Sequence, residues 1–374
     1  LDSRCMGILT SQHHHARNCH GQDRRDDRNK APSRLFFGRP GKPCHATCLI
    51  FAILLGTGTA QAEPIRVATY NTELSQPGPG LLLRDIVKAN NPQVAAVIQT
   101  ISAISPDILV LQGIDYDLQG SALAALADAI AQDGPDYRYR FALPPNAGRQ
   151  TGLDMDGDGV AGHARDGQGY GRFLGDGGMA ILSRFPISQN GLQNYSDLLW
   201  RDLPGALLPL GPDGPFPSAD VQKIQRLSSH GHWVVPIEIP DADPITLMTF
   251  YATPPVFDGP EDRNGKRNHD EIVFWDHYLA GAFDAPPTGR FVLLGDANLD
   301  PDKGEGIKSA ITTLLNHPMI QDPMQGQPTV TFDGLGDMRM DYLLPSSEWR
   351  VVASGIVRNA SASRHGLIWA DLDR

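Results

Sequence analysis

Four short stretches carry side chains suited to phosphate chemistry, and they follow one another in a set order: Ala68-Thr-Tyr-Asn71, Gly295-Asp296-Ala-Asn298-Leu-Asp300, Arg339-Met-Asp341-Tyr-Leu-Leu-Pro345 and Ser363-Arg364-His365. Most of their polar groups lie in or just after an apolar run, where a sheet rim would hold a side chain rigidly. Asp296 and Asn298, two apart on an extended segment, would point the same way and could face one phosphate. Hard cations such as Mg²⁺ take oxygen ligands, and one or two carboxylates with a phosphate oxygen suffice. A His beside a carboxylate is fixed in one tautomer and serves as acid, base or charge stabiliser, the role His365 would fill with Asp341. Gly-Asp-x-Asn alone is an ordinary turn after a strand; the four stretches together point to a catalytic rim.

The elements that must position these groups alternate along the chain. β-rich apolar runs predict strands over 65–70, 107–112, 179–183, 233–237, 245–250, 291–294 and 341–344. Helical spacing predicts helices over 94–104, 123–130 (stopped by Gly134-Pro135) and 268–283. No repeat or linker divides 63–374, so the pattern implies a single α/β domain of stacked layers.

The 374-residue chain carries a net charge of −11, with Gly 39 and Pro 30 in no regular period, which excludes collagen-like and wholly disordered readings. Its first 62 residues differ from the rest. They hold nine Lys/Arg against four Asp/Glu and all four cysteines, leaving 63–374 cysteine-free with a net charge of −16. A basic flank precedes the short apolar run Cys48-Leu-Ile-Phe-Ala-Ile-Leu-Leu55 and then Ala60-Gln-Ala62. These features read as a leader and signal peptide over 1–62, cleaved near Ala62, giving a periplasmic or extracellular protein over 63–374. The apolar run is far below the ~20 residues of a membrane span, so no transmembrane segment is expected in the mature chain, which should act as a monomer. Without cysteines, its stability must come from its core and any metals.

With these motifs the chain resembles the endonuclease/exonuclease/phosphatase superfamily, the fold of pancreatic-type deoxyribonuclease, and it is closest to a bacterial exported branch bearing the block Ala252-Thr-Pro-Pro-Val-Phe-Asp-Gly-Pro-Glu-Asp-Arg-Asn-Gly-Lys-Arg-Asn-His-Asp-Glu271. The resemblance covers essentially all of 63–374. It implies an α/β (α+β) four-layer sandwich, two packed mixed β-sheets flanked by helices. It also implies phosphate-ester hydrolysis by in-line attack of water, dependent on Mg²⁺ or Mn²⁺, on a phosphorylated small molecule or nucleic acid. By motif, Asn71 looks like a metal or phosphate ligand, Asp296 the residue orienting the attacking water, Asn298 a phosphate or metal contact, and Asp341 with His365 the terminal Asp–His pair.

Three positions depart from the family pattern. The usual Leu-Gln-Glu strand end, whose carboxylate holds the metal, reads Leu111-Gln112-Gly113, so a metal would need Asp115, Glu73 or another acid nearby. The usual His before the Pro-containing loop is Tyr251, whose pKa near ~10 makes it a poor proton shuttle. The usual Ser-Asp-His reads Ser363-Arg364-His365; Arg364 could clamp a phosphate and partly replace a cation. These departures keep open a catalytically impaired member of the fold that binds a phosphorylated ligand or partner.

A second metal signal is the loop Asp154-Met-Asp156-Gly-Asp158-Gly159, whose alternating acids resemble the first half of a calcium loop, although position twelve is Arg165 with Asp166 adjacent. It would suit a structural Ca²⁺ or a solvated turn, and by itself would fit a calcium-stabilised interaction protein. The glycine-rich stretch 144–178 is a candidate rim or lid over the cleft. Arg263, Lys266, Arg267 and His269 form the concentrated positive charge of 63–374, able to face phosphate (Arg263 foremost) or to pair with Glu261, Asp262, Asp270 and Glu271. A net charge of −16 argues against an unspecific grip on DNA.

Overall fold

The computed structural model describes residues 63–374; the leader and signal peptide expected over 1–62 lie outside the described residues. Apolar residues run almost unbroken along the central strands while successive side chains point to opposite faces, which gives each sheet two apolar faces to cover. On the strand Ile65–Asn71, Ile65 and Val67 face one layer, Ala68 and Tyr70 the other. This strand belongs to a six-stranded sheet ordered Val351–Val357, Leu367–Leu372, Ile65–Asn71, Ile108–Ile114, Gly178–Ser183, Tyr139–Phe141. A five-stranded sheet runs Asp341–Pro345, Phe291–Asp296, Ile245–Tyr251, His232–Ile237, Gln193–Asn194. Each sheet is mixed, with one parallel pair among antiparallel ones.

The inner faces meet in one cluster, where Val67, Val110, Ile181 and Ile368 pack with Val235, Leu247, Val292 and Leu343. The outer faces are covered by helices. Pro92–Ile104 and Ser121–Ile130 lay Val97, Ile101 and Leu126 on Leu109 and Leu111; Arg263–Leu279 and Ser309–Leu315 lay Phe274, Trp275 and Ile311 on Phe250 and Leu293. Each such large apolar side chain stabilises the fold by about 1.5–3 kcal/mol on burial. The outcome is a four-layer sandwich of helices, sheet, sheet and helices. Among the described residues, no helix is long and apolar enough to cross a membrane.

The helix expected over 268–283 instead spans Arg263–Leu279. Its first turn is polar and shows no apolar period, while its end is set by Gly281 at φ +78°, a left-handed geometry that glycine adopts without a Cβ clash. The strands Val351–Val357 and Leu367–Leu372 escaped the sequence reading. The first is a half-exposed edge without clean alternation, and the second is a short, almost wholly buried run whose period decides nothing.

Candidate active site

Counting in twos from the inner core reaches polar residues at one end of both sheets. Val67 leads to Asn71, Leu247 to Tyr251, Val292 to Asp296, and Leu343 back to Asp341. Asp296 pairs in register with Tyr251 on one side and Asp341 on the other. His365 arrives from the turn before Leu367–Leu372, fixed by a bridge to Val330 and by Ser363, whose Oγ donates to Asn71 O at 2.8 Å.

His365 Nδ1 lies 2.8 Å from Asp341 Oδ2, which also accepts from Thr329 Oγ1 at 2.8 Å. Asp341 Oδ1 is buried without a hydrogen-bond partner. Asp296 is fully buried; its Oδ2 accepts from Asn71 Nδ2 at 2.8 Å and its Oδ1 from Asn298 N at 2.8 Å. Burial first, then the Asp341 charge, raise its pKa to about 7. For His365 burial disfavours the charged ring, but the charge of Asp341, its hydrogen bond, and the charges of Asp296 and Glu73 outweigh burial and raise the pKa to about 9. The ring is therefore an imidazolium at neutral pH, with Nε2–H left to meet a ligand.

Above this floor opens a cleft of about 680 Å³ lined by Asn71, Glu73, Tyr251, Asn298, Arg364 and His365, among others. Tyr251 Oη accepts from Asn71 Nδ2 at 3.3 Å, its ring stacks on His230 with centroids 4.0 Å apart, and burial drives its pKa up. Asn298 does not continue an extended segment as expected: the strand ends at Asp296, and Asn298 turns back at φ +50° with Nδ2 on Ala252 O at 3.0 Å. Hence Asn298 lines the cleft while Asp296 lies beneath it. Asp115 is not among the residues lining the cleft; its carboxylate accepts from Gln76 N (3.0 Å) and Gly177 N (3.1 Å). The stretch 144–178 contributes nothing to the lining either. Through Arg165 and Tyr170 it borders a neighbouring cavity of about 380 Å³, together with Arg263, whose Nη1 donates to Met155 O. Pro254, Val256 and Phe257 wall off one cavity from the other.

Sequence reading left the place of Glu73 open. It adopts φ +50°, uncommon for a residue with a Cβ, and this turn brings its carboxylate to the last motif. Oε2 accepts from Ser363 Oγ at 3.0 Å and Arg364 N at 2.8 Å; Oε1 accepts from Arg364 Nε at 2.7 Å and from its Nη2. Both oxygens are thus occupied by donors, two of them on a guanidinium. Asp296 and Asp341 approach His365 with ligand atoms within 4.8 Å of one another, but Asp296 already accepts from Asn71 Nδ2 and Asn298 N, and Asp341 Oδ2 is shared by Thr329 Oγ1 and His365 Nδ1. The residues present therefore do not fit the divalent cation that the family resemblance implies at the Gly113 position. Nor would a longer side chain at 113 restore it. Gly113 holds φ +65°, and a Cβ there would lie 2.4 Å from Asn71 Oδ1 and 3.0 Å from Glu73 N. Gly113→Ala is accordingly expected to cost about 1–3 kcal/mol, read as a lower urea midpoint; an unchanged midpoint would show that the backbone there relaxes freely.

In the acidic loop, Asp154, Asp156 and Asp158 bring oxygens within 4.8 Å of one another. Asp154 caps Gly157 N and Gly159 N at 2.7 Å each, Arg165 Nη1 stands 3.7 Å from Asp156 Oδ2, and Asp166 accepts from Met155 N and His163 N. The loop's turn is thus built from its own hydrogen bonds.

Residues 68–365 match the endonuclease/exonuclease/phosphatase family. Among solved structures, an endonuclease/exonuclease/phosphatase from Beutenbergia cavernae is similar at 19% identity and a TM-score of 0.52, covering 83% of this chain and 72% of that one. A family protein from Leptotrichia buccalis follows at 14% identity and 0.49, over 83% of this chain and all (100%) of that one. A beta toxin from Staphylococcus aureus with bound magnesium ions stands at 14% and 0.46, over 82% and 99%. No curated protein matches the chain.

Proposed function

Because the chain belongs to the endonuclease/exonuclease/phosphatase family, we propose that it hydrolyses a phosphate ester by in-line attack of water, acting after export as a phosphoesterase or nuclease. The observation that carries this reading is the buried Asp296–Asp341–His365 cluster at the floor of an open cleft. The N–H that Asn298 Nδ2 keeps beside its bond to Ala252 O and the Nε2–H of His365 receive the non-bridging phosphate oxygens, where negative charge grows in the transition state, while Asn71 Nδ2 is spent on Asp296 and Tyr251. Asp341 and Thr329 hold the ring in place. Asp296 orients the water and takes its proton as the new oxygen–phosphorus bond forms and the ester bond breaks.

The test is turnover of an aryl phosphodiester and of DNA by the purified chain with Mg²⁺, Mn²⁺, Ca²⁺ or EDTA. Turnover of neither substrate by a folded protein would favour a binding-only member of the fold. The pH profile follows from the two titrations. Asp296 must be ionised, so kcat/KM rises with pH through about 7. His365 must stay protonated, so it falls again above about 9. A flat profile between pH 5 and 10 would remove both residues from the reaction.

A further inference from the structure

We propose that the Arg364 guanidinium, held by Glu73, is the resident cation of this cleft, so that phosphate is bound and activated without a divalent metal. The inference rests on the phosphoesterase reading for its catalytic half; its binding half stands alone.

In the family pattern a carboxylate closes the strand at 113 and another precedes the terminal His; here the first is Gly113 and the second Arg364. The structure links these two changes. With no side chain at 113, the backbone turns at Gly113 and Glu73, both at positive φ, and Glu73 reaches across to Arg364. Two guanidinium donors and the Arg364 amide fix the carboxylate, so the ion pair is a fork with defined direction. The Phe332 ring supports the guanidinium with its centroid 5.2 Å from Arg364 Cζ. Nε and Nη2 face Glu73, which leaves Nη1 and the second Nη2 hydrogen for the cleft that Arg364 lines. A tetrahedral phosphate is then met by a planar fork, the His365 imidazolium and the Asn298 amide.

A divalent ion at the same place would have to displace a guanidinium from a carboxylate that it already neutralises. Arg364 also remains charged at any pH the protein survives, because the hydrogen bond to Glu73 favours its charged form. Glu73 is a positioning residue in this scheme: it aims the fork and touches no substrate.

The experiment uses the full chain and two readouts. Binding of inorganic phosphate is measured calorimetrically in EDTA for the wild type, Arg364→Gln and Glu73→Gln. Mn²⁺ binding is measured by electron paramagnetic resonance for the wild type and Arg364→Asp, so that any ions on the acidic loop or elsewhere cancel in the difference. Thermal unfolding confirms that each variant is folded. The wild type is expected to bind phosphate in EDTA, Arg364→Gln to bind it at least ~10-fold more weakly, about 1.4 kcal/mol, and Glu73→Gln to lie between them. Arg364→Asp should gain one Mn²⁺ over the wild type, and any turnover by the wild type should survive EDTA. Phosphate binding that is equal in the wild type and Arg364→Gln overturns the proposal, as does wild-type turnover that vanishes in EDTA and returns with Mg²⁺. Absence of turnover under every condition, with phosphate binding still dependent on Arg364, removes the hydrolase reading and leaves the guanidinium site standing.

Discussion

Replacing Asp296 by Asn lowers kcat on any phosphoester the chain turns over by about 10²–10⁴-fold, the usual worth of a positioned proton acceptor. The substitution is nearly isosteric. It keeps an oxygen for Asn298 N and removes the charge that accepts the proton, but it turns an amide NH₂ toward Asn71 Nδ2 in place of the oxygen that accepted from it, a local cost that does not vary with pH. Stability should move the other way. Burial and Asp341 raise the Asp296 pKa, so the folded chain binds this proton more tightly than the unfolded one. The wild type therefore loses stability relative to the variant as pH rises from about 4 towards 7. Melting at pH 5 and pH 8 checks the sign: Asp296→Asn gains relative to the wild type at the higher pH. The alkaline limb of any residual activity should shift down as well, because Asp296 helps hold the proton on His365. A kcat within threefold of the wild type would strip Asp296 of its role.

The second large effect is on the fold. Arg267 is 5% exposed, yet it was one member of a cluster that also suited phosphate. Its guanidinium donates instead to four backbone carbonyls: Leu227 at 2.8 Å from Nε, then Gln168 at 2.6 Å, Arg226 at 2.9 Å and Ser228 at 3.0 Å from Nη2. Burial lowers its pKa to about 10 against the pull of Glu271. Glu271, itself raised to about 7 by burial, accepts from Ser229 N at 2.5 Å and Thr253 N at 2.6 Å. Arg267→Met keeps the stem but leaves these carbonyls without their donor and the Glu271 charge unanswered. The expected loss is about 3–5 kcal/mol, seen as a urea midpoint shift with little change in slope. A shift under about 1 kcal/mol would mean that water takes over the carbonyls and that the arginine is a surface residue in all but position.

Whether Arg267 faced phosphate or backbone was not legible, because charge and spacing are the same in both cases and only burial separates them. The strand cores were legible, since short unbroken apolar runs are what strands of sheets covered on both faces require. So were Asn71, Asp296 and Asp341, whose place at a strand end follows from the same runs. Glu73 was harder, as its contact with Arg364 depends on two left-handed residues that meet only across neighbouring strands. The turn at Asn298 was hidden for a similar reason: a single positive φ redirects the side chain, and Asn tolerates it well enough to leave no composition signal. Stretch 144–178 announced a functional loop by its glycines, but not which of two adjacent hollows it would border.

The in-register pairing of Asp296 with Asp341 separates what can vary in this chain from what cannot. Between them run more than forty residues, including Gly304, Phe332, Leu335 and Met338 of the cleft wall. Outside Asn298, Thr329 and Val330, which hold the site, this segment can be exchanged without moving either carboxylate, because the main-chain ladder from Val292–Pro345 to Asp296–Asp341 sets their spacing. One residue inserted inside that ladder would turn Asp341 to the opposite face and leave His365 without a partner. Descendants of this sequence can therefore change what they accept by rewriting the wall, generation after generation, while the floor is inherited whole or lost.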